Sequence, residues 1–197
     1  MGCRCVMEGT QYDWDGRMLM SEGVSEAASV AEILAANIPG ACEATRAEIA
    51  DDKNGTDWWV RRSCGHSLSV DCKVREKDWA AKPEPQRADD LALEIWSVYE
   101  TRTVGWTLRK DKRTDYILWL WKNTGRWCLV PFPMLCCVFW LHGKAWCAEY
   151  KKGWQHTKKG DAHWWSECVF VPRSVVWSAI IDLYGGTPQP LTPAGQP

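Results

Sequence analysis

The first regular pattern of apolar and polar positions lies between residues 25 and 38. Val30, Ile33, Leu34 and Ile38 recur at helical spacing, which predicts a helix over 25–37 that the Ile38-Pro39-Gly40 break ends. Residues 41–45 fit either a strand or another helical turn. Two strands follow at 56–61 and 67–75, joined by Ser63-Cys64-Gly65, a three-residue hairpin loop with glycine at its left-handed position. Further strands are predicted at 91–99, 116–121, 127–130 and 168–171, and helices at 134–150 and 173–184. The segment 116–121, Tyr-Ile-Leu-Trp-Leu-Trp, is apolar at every position, as a strand covered on both faces requires. Residues 1–24 are polar and irregular, with a turn at 13–16. Residues 185–197 are rich in Gly, Pro and Thr and read as a disordered tail. The organisation expected is an N-terminal extension over 1–24, one domain over 25–184, and the tail.

Composition adds two unusual counts to this outline. In 197 residues there are 15 Trp and 10 Cys. So many aromatics exclude a wholly disordered chain. Trp96, Trp119, Trp121 and Trp127 lie in apolar strands and are assigned to the core. No leader-like apolar run opens the sequence, and 129–141 is too short to span a bilayer. A cytoplasmic protein with reduced thiols is expected, with Cys72, Cys128, Cys136 and Cys137 as buried apolar groups. No C-x-x-C pair points to zinc. The net charge is -1, but it is unevenly spread. Residues 1–60 carry 11 acids and 4 bases, and residues 61–197 carry 14 acids and 20 bases, so the chain can present a basic face.

The strand 67–75 carries the chemistry. Leu68, Val70, Cys72 and Val74 alternate with Ser69, Asp71, Lys73 and Arg75. A hairpin closed around Cys64 sets position 57 opposite position 71. Two carboxylates then lie side by side with an ammonium next to them. Adjacent carboxylates repel unless a cation joins them, so the arrangement favours Mg²⁺ or Mn²⁺. Such an ion activates water and neutralises phosphate, and a neighbouring lysine orients the water or stabilises the phosphorane. The inferred reaction is phosphodiester hydrolysis. Of three D/E-x-K tripeptides in the chain, only Asp71-Cys72-Lys73 lies on an alternating strand that follows an Asp-bearing strand.

Gly55-Thr56-Asp57, a hairpin, and then Val70-Asp71-Cys72-Lys73-Val74 resemble the PD-(D/E)XK nuclease superfamily, which includes restriction endonucleases, Holliday-junction resolvases and phage nucleases. The resemblance covers residues 30–75 by motif and the remainder by architecture. It implies an α/β (α+β) fold with a restriction-endonuclease-like core: a mixed sheet of four to six strands flanked by helices, in αβββαβ-like order. It implies a Mg²⁺- or Mn²⁺-dependent deoxyribonuclease, with Asp57 and Asp71 holding metal and Lys73 assisting the attacking water. Many members add an acid from the preceding helix. Glu32 is the best placed, with Glu43, Glu48 and Glu94 as alternatives. No Pro precedes Asp57, and the Gln-x-x-x-Tyr motif of the RecB-like branch is missing, so that branch is not assigned. Cutting two strands needs two centres, which makes a homodimer an expectation that no residue carries. The alternative is a non-catalytic nucleic-acid- or protein-binding module on the same fold.

DNA would meet the basic residues. Arg109, Lys110, Lys112 and Arg113 form one cluster. Lys151, Lys152, Trp154, Lys158 and Lys159 form a second, in a stretch from 144 to 159 that mixes lysines with Trp146, Tyr150 and His156. Lysines neutralise phosphates and aromatics stack on bases. The same pattern also fits an amphipathic helix with snorkelling lysines and a buried Trp stripe.

Overall fold

The computed structural model describes residues 10–13, 28–48, 51 and 55–185. The 13–16 turn lies largely outside them, as do the start of the 25–37 helix and nearly all of the 185–197 tail. In chain order the elements are β1 (Thr10–Asp13), α1 (Ala28–Asn37), β2 (Ala41–Arg46), β3 (Trp58–Arg62), β4 (Ser67–Arg75), β5 (Asp90–Val98) and β6 (Thr103–Val104). They continue with β7 (Tyr116–Trp121), β8 (Arg126–Pro131), α2 (Phe132–Glu149), β9 (Lys152–Lys159), β10 (Ala162–Pro172) and α3 (Arg173–Tyr184). A short 3₁₀ turn, Trp79–Ala81, follows β4.

The strands form two five-stranded sheets, so the fold is mixed α+β. The first has the order β2-β3-β4-β7-β8. Its neighbours are antiparallel except β4 and β7, which run parallel. The second has the order β1-β9-β10-β5-β6, with only β1 and β9 parallel. The first sheet thus begins as one helix and three antiparallel strands, with a fourth strand parallel to the third. A parallel neighbour requires a crossover. Here it runs through β5 and β6 of the second sheet, where the expected order has a helix.

Strand β4 is the middle strand, and both faces of its sheet are covered. On one face Val70, Cys72, Leu118 and Leu120 pack with Trp58, Val60 and the α1 stripe Val30, Leu34 and Ile38. On the other face Ile117, Trp119 and Trp121 join Leu91, Leu93, Val169 and Val171 and the inner sides of α2 and α3. At about 1.5–3 kcal/mol per fully buried large apolar side chain, these two clusters dominate the drive to fold. No helix among the described residues is long and apolar enough to cross a membrane.

Several details differ from the sequence expectations. Helix α2 starts at Phe132, because Pro133 lies in the first turn, where a missing N–H costs nothing. The 144–159 stretch is not one element. The helix ends at Glu149, and Lys152–Lys159 is a strand that turns at Gly160, φ +57°, into the longer β10. Trp146 belongs to the larger core. Trp96 and Trp127 are only half-buried. All eight described cysteines are free; Cys72 and Cys128 are buried, Cys136 is half-buried, and Cys137 is exposed on the outer side of α2. Residues 10–13, expected to be irregular, form an edge strand on β9.

Candidate active site

The hairpin of β3 and β4 brings Asp57 and Asp71 together. Its loop is Ser63-Cys64-Gly65, with Gly65 at φ +85°, and it is closed by the Arg62 N–H donating to the His66 carbonyl at 2.8 Å. Trp58 pairs with Val70 and Trp59 with Ser69, and Asp57 stands one residue before that paired register. The Asp57 N–H donates to the Val70 carbonyl at 2.9 Å. Asp57 Oδ2 accepts from the Cys72 N–H at 2.5 Å. The Asp57 carboxylate therefore lies across the hairpin, beside the strand that carries Asp71.

Asp71 is 3% exposed. Its register partner on β7 is Ile117, and that of Lys73 is Trp119, so both point to the face that holds the larger core. Lys73 Nζ stands 2.8 Å from Asp71 Oδ1, and Lys112 Nζ stands 2.5 Å from Asp71 Oδ2. Lys112 reaches in from the segment before β7, across Gly55, where any Cβ would collide with the ammonium. Thr114 Oγ1 donates to the Gly55 carbonyl at 2.8 Å and fixes that crossing. Lys73 also lies 5.6 Å from the Trp106 ring centre, and Lys112 5.8 Å from that of Phe132.

Burial pushes the Asp71 carboxyl up, but the charges and hydrogen bonds of Lys73 and Lys112 outweigh it and leave the group below the usual carboxylate range. Burial pushes the Lys73 ammonium down, and the charges of Asp71 and Asp57 outweigh it and hold the group above the usual lysine range. For Lys112 burial wins over Asp71, and its affinity for a proton is lowered. The two lysines on Asp71 are therefore unequal.

Of the four acids considered as a further ligand, Glu94 is the one tied to this cluster. It lies on β5, where Ile95 forms a bulge between the Trp96–Glu167 and Glu94–Cys168 pairs. Its Oε2 accepts from the Trp106 N–H at 3.0 Å. Burial raises its carboxyl above the usual range against the opposing pull of that N–H and of Lys73. Gly105 passes so close to the Glu94 backbone that a side chain there would clash. Glu32 is exposed on α1, on the side opposite Val30, Leu34 and Ile38. Glu43 is exposed and holds Arg61 at 2.6 Å. Glu48 is exposed.

The residues expected to contact DNA divide. Lys110, Arg113, Lys151, Lys158 and Lys159 are exposed. Arg109 is exposed but paired with Asp111 at 2.7 Å. Lys152 lies 3.8 Å from Glu167. Trp154 is half-buried, edge-on to Tyr99 at 4.4 Å. Lys112 turns its side chain inward, where it is 5% exposed. In the run of charges from 109 to 113 nothing in the sequence separates Lys112 from its neighbours. Glu94 did carry a signal, as the single charged residue inside the apolar run 91–96.

Among the described residues no three His, Cys, Asp or Glu side chains are grouped to hold a metal. Mg²⁺ does not need such a cage. It is commonly held by one or two carboxylates together with waters and substrate phosphate oxygens. Asp57 and Asp71 are the carboxylates that would supply such a pair, with Glu94 in electrostatic reach of Asp71. An incoming divalent ion would have to compete with Lys112 for Asp71 Oδ2.

Together, fold and site define a mixed α+β protein with a buried carboxylate–lysine cluster at the middle of a mixed sheet. No family model, no curated protein and no solved structure matches the chain.

Proposed function

We propose that this protein is a Mg²⁺- or Mn²⁺-dependent endonuclease of PD-(D/E)XK type that hydrolyses phosphodiester bonds in DNA and acts in the cytoplasm. The observation that carries the proposal is the Asp57 carboxylate on the Cys72 N–H, between Asp71 and Lys73 in sequence, with Lys73 Nζ at 2.8 Å from Asp71. The helix, three antiparallel strands and parallel fourth strand of the first sheet support it. The strand-built crossover departs from the helical one that the resemblance implies.

When bound, a divalent ion supplies charge neutralisation and lowers the pKa of water. The protein's own groups do the rest. Asp57 and Asp71 present oxygens from adjacent strands. Lys73, held as an ammonium by Asp71 and Asp57, donates hydrogen bonds to the attacking water or to the phosphoryl oxygens as negative charge builds there. Burial beside Trp106 limits competition from bulk water and strengthens that interaction. The water oxygen bonds to phosphorus, one P–O ester bond breaks, and the water's proton ends on the departing alkoxide. Exposed lysines and arginines would hold the strand by its phosphates.

A second reading, a non-catalytic binding module, is favoured by one fact: both Asp71 oxygens are engaged by lysines in a buried position. Plasmid cleavage with Mg²⁺ separates the two. Wild type should nick or linearise the plasmid, and Asp71→Ala and Lys73→Ala should each lose at least about 100-fold of the rate. Equal cleavage by all three proteins would sink the nuclease reading.

A further inference from the structure

A groove of about 690 Å³ opens beside the acid cluster, and Lys112 and Thr114 line it. Its walls are largely apolar. Phe132 forms part of them, and Trp140 and Tyr184 stand on α2 and α3 with 73% and 46% of their surface exposed. The rim carries the exposed Lys110. Thr107 also lines the groove. It is 1% exposed, and among the described residues its hydroxyl has no hydrogen-bond partner. A buried, unsatisfied hydroxyl is costly and needs a reason. A χ1 rotation exchanges a threonine's methyl and hydroxyl positions, so a ligand edge can recruit this group without breaking an existing bond.

Apolar aromatic walls, a polar group within and a cationic rim match one chemistry: a single unpaired nucleobase with its phosphate. Bases stack on exposed Trp and Tyr, lysines hold the backbone, and a hydroxyl meets the base edge. The volume falls within the roughly 300–1,000 Å³ of small-ligand sites. It takes one nucleotide and excludes a duplex. We infer that this groove binds an unpaired base of the DNA substrate, so that the protein prefers duplexes carrying a single-stranded extension, flap or displaced base over fully paired ones. The inference rests on the nuclease reading for its choice of DNA, and the groove adjoins that site through Lys112.

Fluorescence anisotropy in EDTA, where nothing is cut, tests it. The probes are a short blunt duplex and the same duplex with an unpaired thymidine extension. The extended probe should bind roughly tenfold more tightly. Trp140→Ala should remove most of that difference and leave blunt-duplex binding nearly unchanged, and Lys110→Ala should weaken the extended probe more than the blunt one. An aminopurine placed in the extension should be quenched by wild type and not by Trp140→Ala. Thr107→Val should leave folding stability unchanged or higher, because no bond is lost, and still reduce the preference. Equal binding of the two probes overturns the inference, and so does a preference that survives Trp140→Ala. A dimer that Trp140→Ala dissociates, with the preference intact, would make the groove a contact between two copies of this chain. Plasmid cleavage by wild type without any preference removes the groove alone. A preference without cleavage supports the groove and removes the nuclease reading.

Discussion

Among the described residues the two most deeply buried carboxylates are Asp71 at 3% and Asp78 at 2% exposure, and they are satisfied in opposite ways. Asp78 lies just after β4. Each of its oxygens accepts two hydrogen bonds: Oδ1 from the Ala80 N–H at 3.0 Å and Arg126 Nη2 at 2.8 Å, and Oδ2 from Thr124 Oγ1 at 2.9 Å and Arg126 Nε at 2.8 Å. Arg126 continues to Asp89 and lies on the Trp121 ring at 3.9 Å, and Asp89 in turn holds Arg173. Fixed guanidinium geometry, stacking and a backbone donor leave this group one arrangement. Asp71 is held by two ammoniums, which are compact point charges on flexible stems. The first cluster clamps the 3₁₀ turn, β8 and the start of α3. The second joins two flexible ammoniums to one carboxylate.

The largest effect should come from exchanging charge for shape at the two sites. Asp71→Asn should lower the Mg²⁺-dependent cleavage rate by about 100-fold or more; the amide keeps the shape of the site, so the protein should still fold, with some loss of stability from the two ammoniums left without their anion. Asp78→Ala leaves the Arg126 guanidinium without its main partner. It should lower the unfolding free energy by about 3–5 kcal/mol, the usual cost of breaking a buried pair, with cleavage per folded molecule unchanged. Urea unfolding curves and plasmid assays on both proteins check this. A stability loss at Asp71 as large as that at Asp78, with cleavage retained, would make both sites structural.

Titration should separate the sites next. Both carboxyls are held below the usual range, Asp71 by its lysines against burial and Asp78 chiefly by hydrogen bonds from Arg126. A lowered carboxylate gives stability that is present above its unfolded pKa, about 3.9, and lost as pH falls through its folded value. Acid should therefore weaken both clusters. Above about pH 10.4 alkali should weaken only the Asp71 cluster, because Lys112, whose proton affinity is lowered, adds stability with rising pH only up to that value. Lys73 is raised, so its contribution is present below about pH 10.4 and is lost as pH rises through its higher folded value. Arg126 is raised from a value already beyond that range and does not titrate. Urea midpoints measured into alkali should fall in wild type and much less in Lys73→Met.

Most of the first sheet was legible in the sequence because its signals are local. The 67–75 alternation, the Gly65 loop and the six apolar residues of β7 each fix strand, turn or burial on their own, and the hairpin length brings Asp57 to the Asp71-Cys72-Lys73 segment. The second sheet was not legible in the same way. Strand β9 carries lysines at both ends and alternates weakly, and β6 has two residues. Their pairing depends on long-range contacts that periodicity does not report. The strand crossover from β4 to β7 hid for the same reason, since nothing near Leu91 tells a helix-replacing strand from any other. At the site, Lys112 was missed because it lies 41 positions from Asp71 in an irregular segment. Only the path of that segment over Gly55 makes it a partner. Burial also reverses the expectation for that lysine, from a surface phosphate contact to an internal counter-ion.

The smallest effect on stability, and the sharpest on the comparison, should come from Lys112→Met. Asp71 keeps Lys73 at 2.8 Å, so no carboxylate is left alone. Burial already disfavours the Lys112 charge, and a thioether fits beside Phe132. No buried charge is left unpaired and the desolvation of the Lys112 ammonium is removed, so stability should change by less than about 1 kcal/mol, well short of the cost of stranding a buried charge. Mg²⁺ would no longer have an ammonium to displace from Asp71 Oδ2. Added Mg²⁺ should therefore raise the melting temperature of Lys112→Met more than that of wild type, because a ligand stabilises in proportion to its affinity for the folded state. The corresponding change in the other cluster, Arg126→Met, removes the guanidinium fork that holds both Asp78 oxygens. It should destabilise the protein severely and create no response to Mg²⁺. Differential scanning calorimetry with and without Mg²⁺ reads both variants, and an equal Mg²⁺ response in wild type and Lys112→Met would show that Lys112 does not compete for the carboxylate.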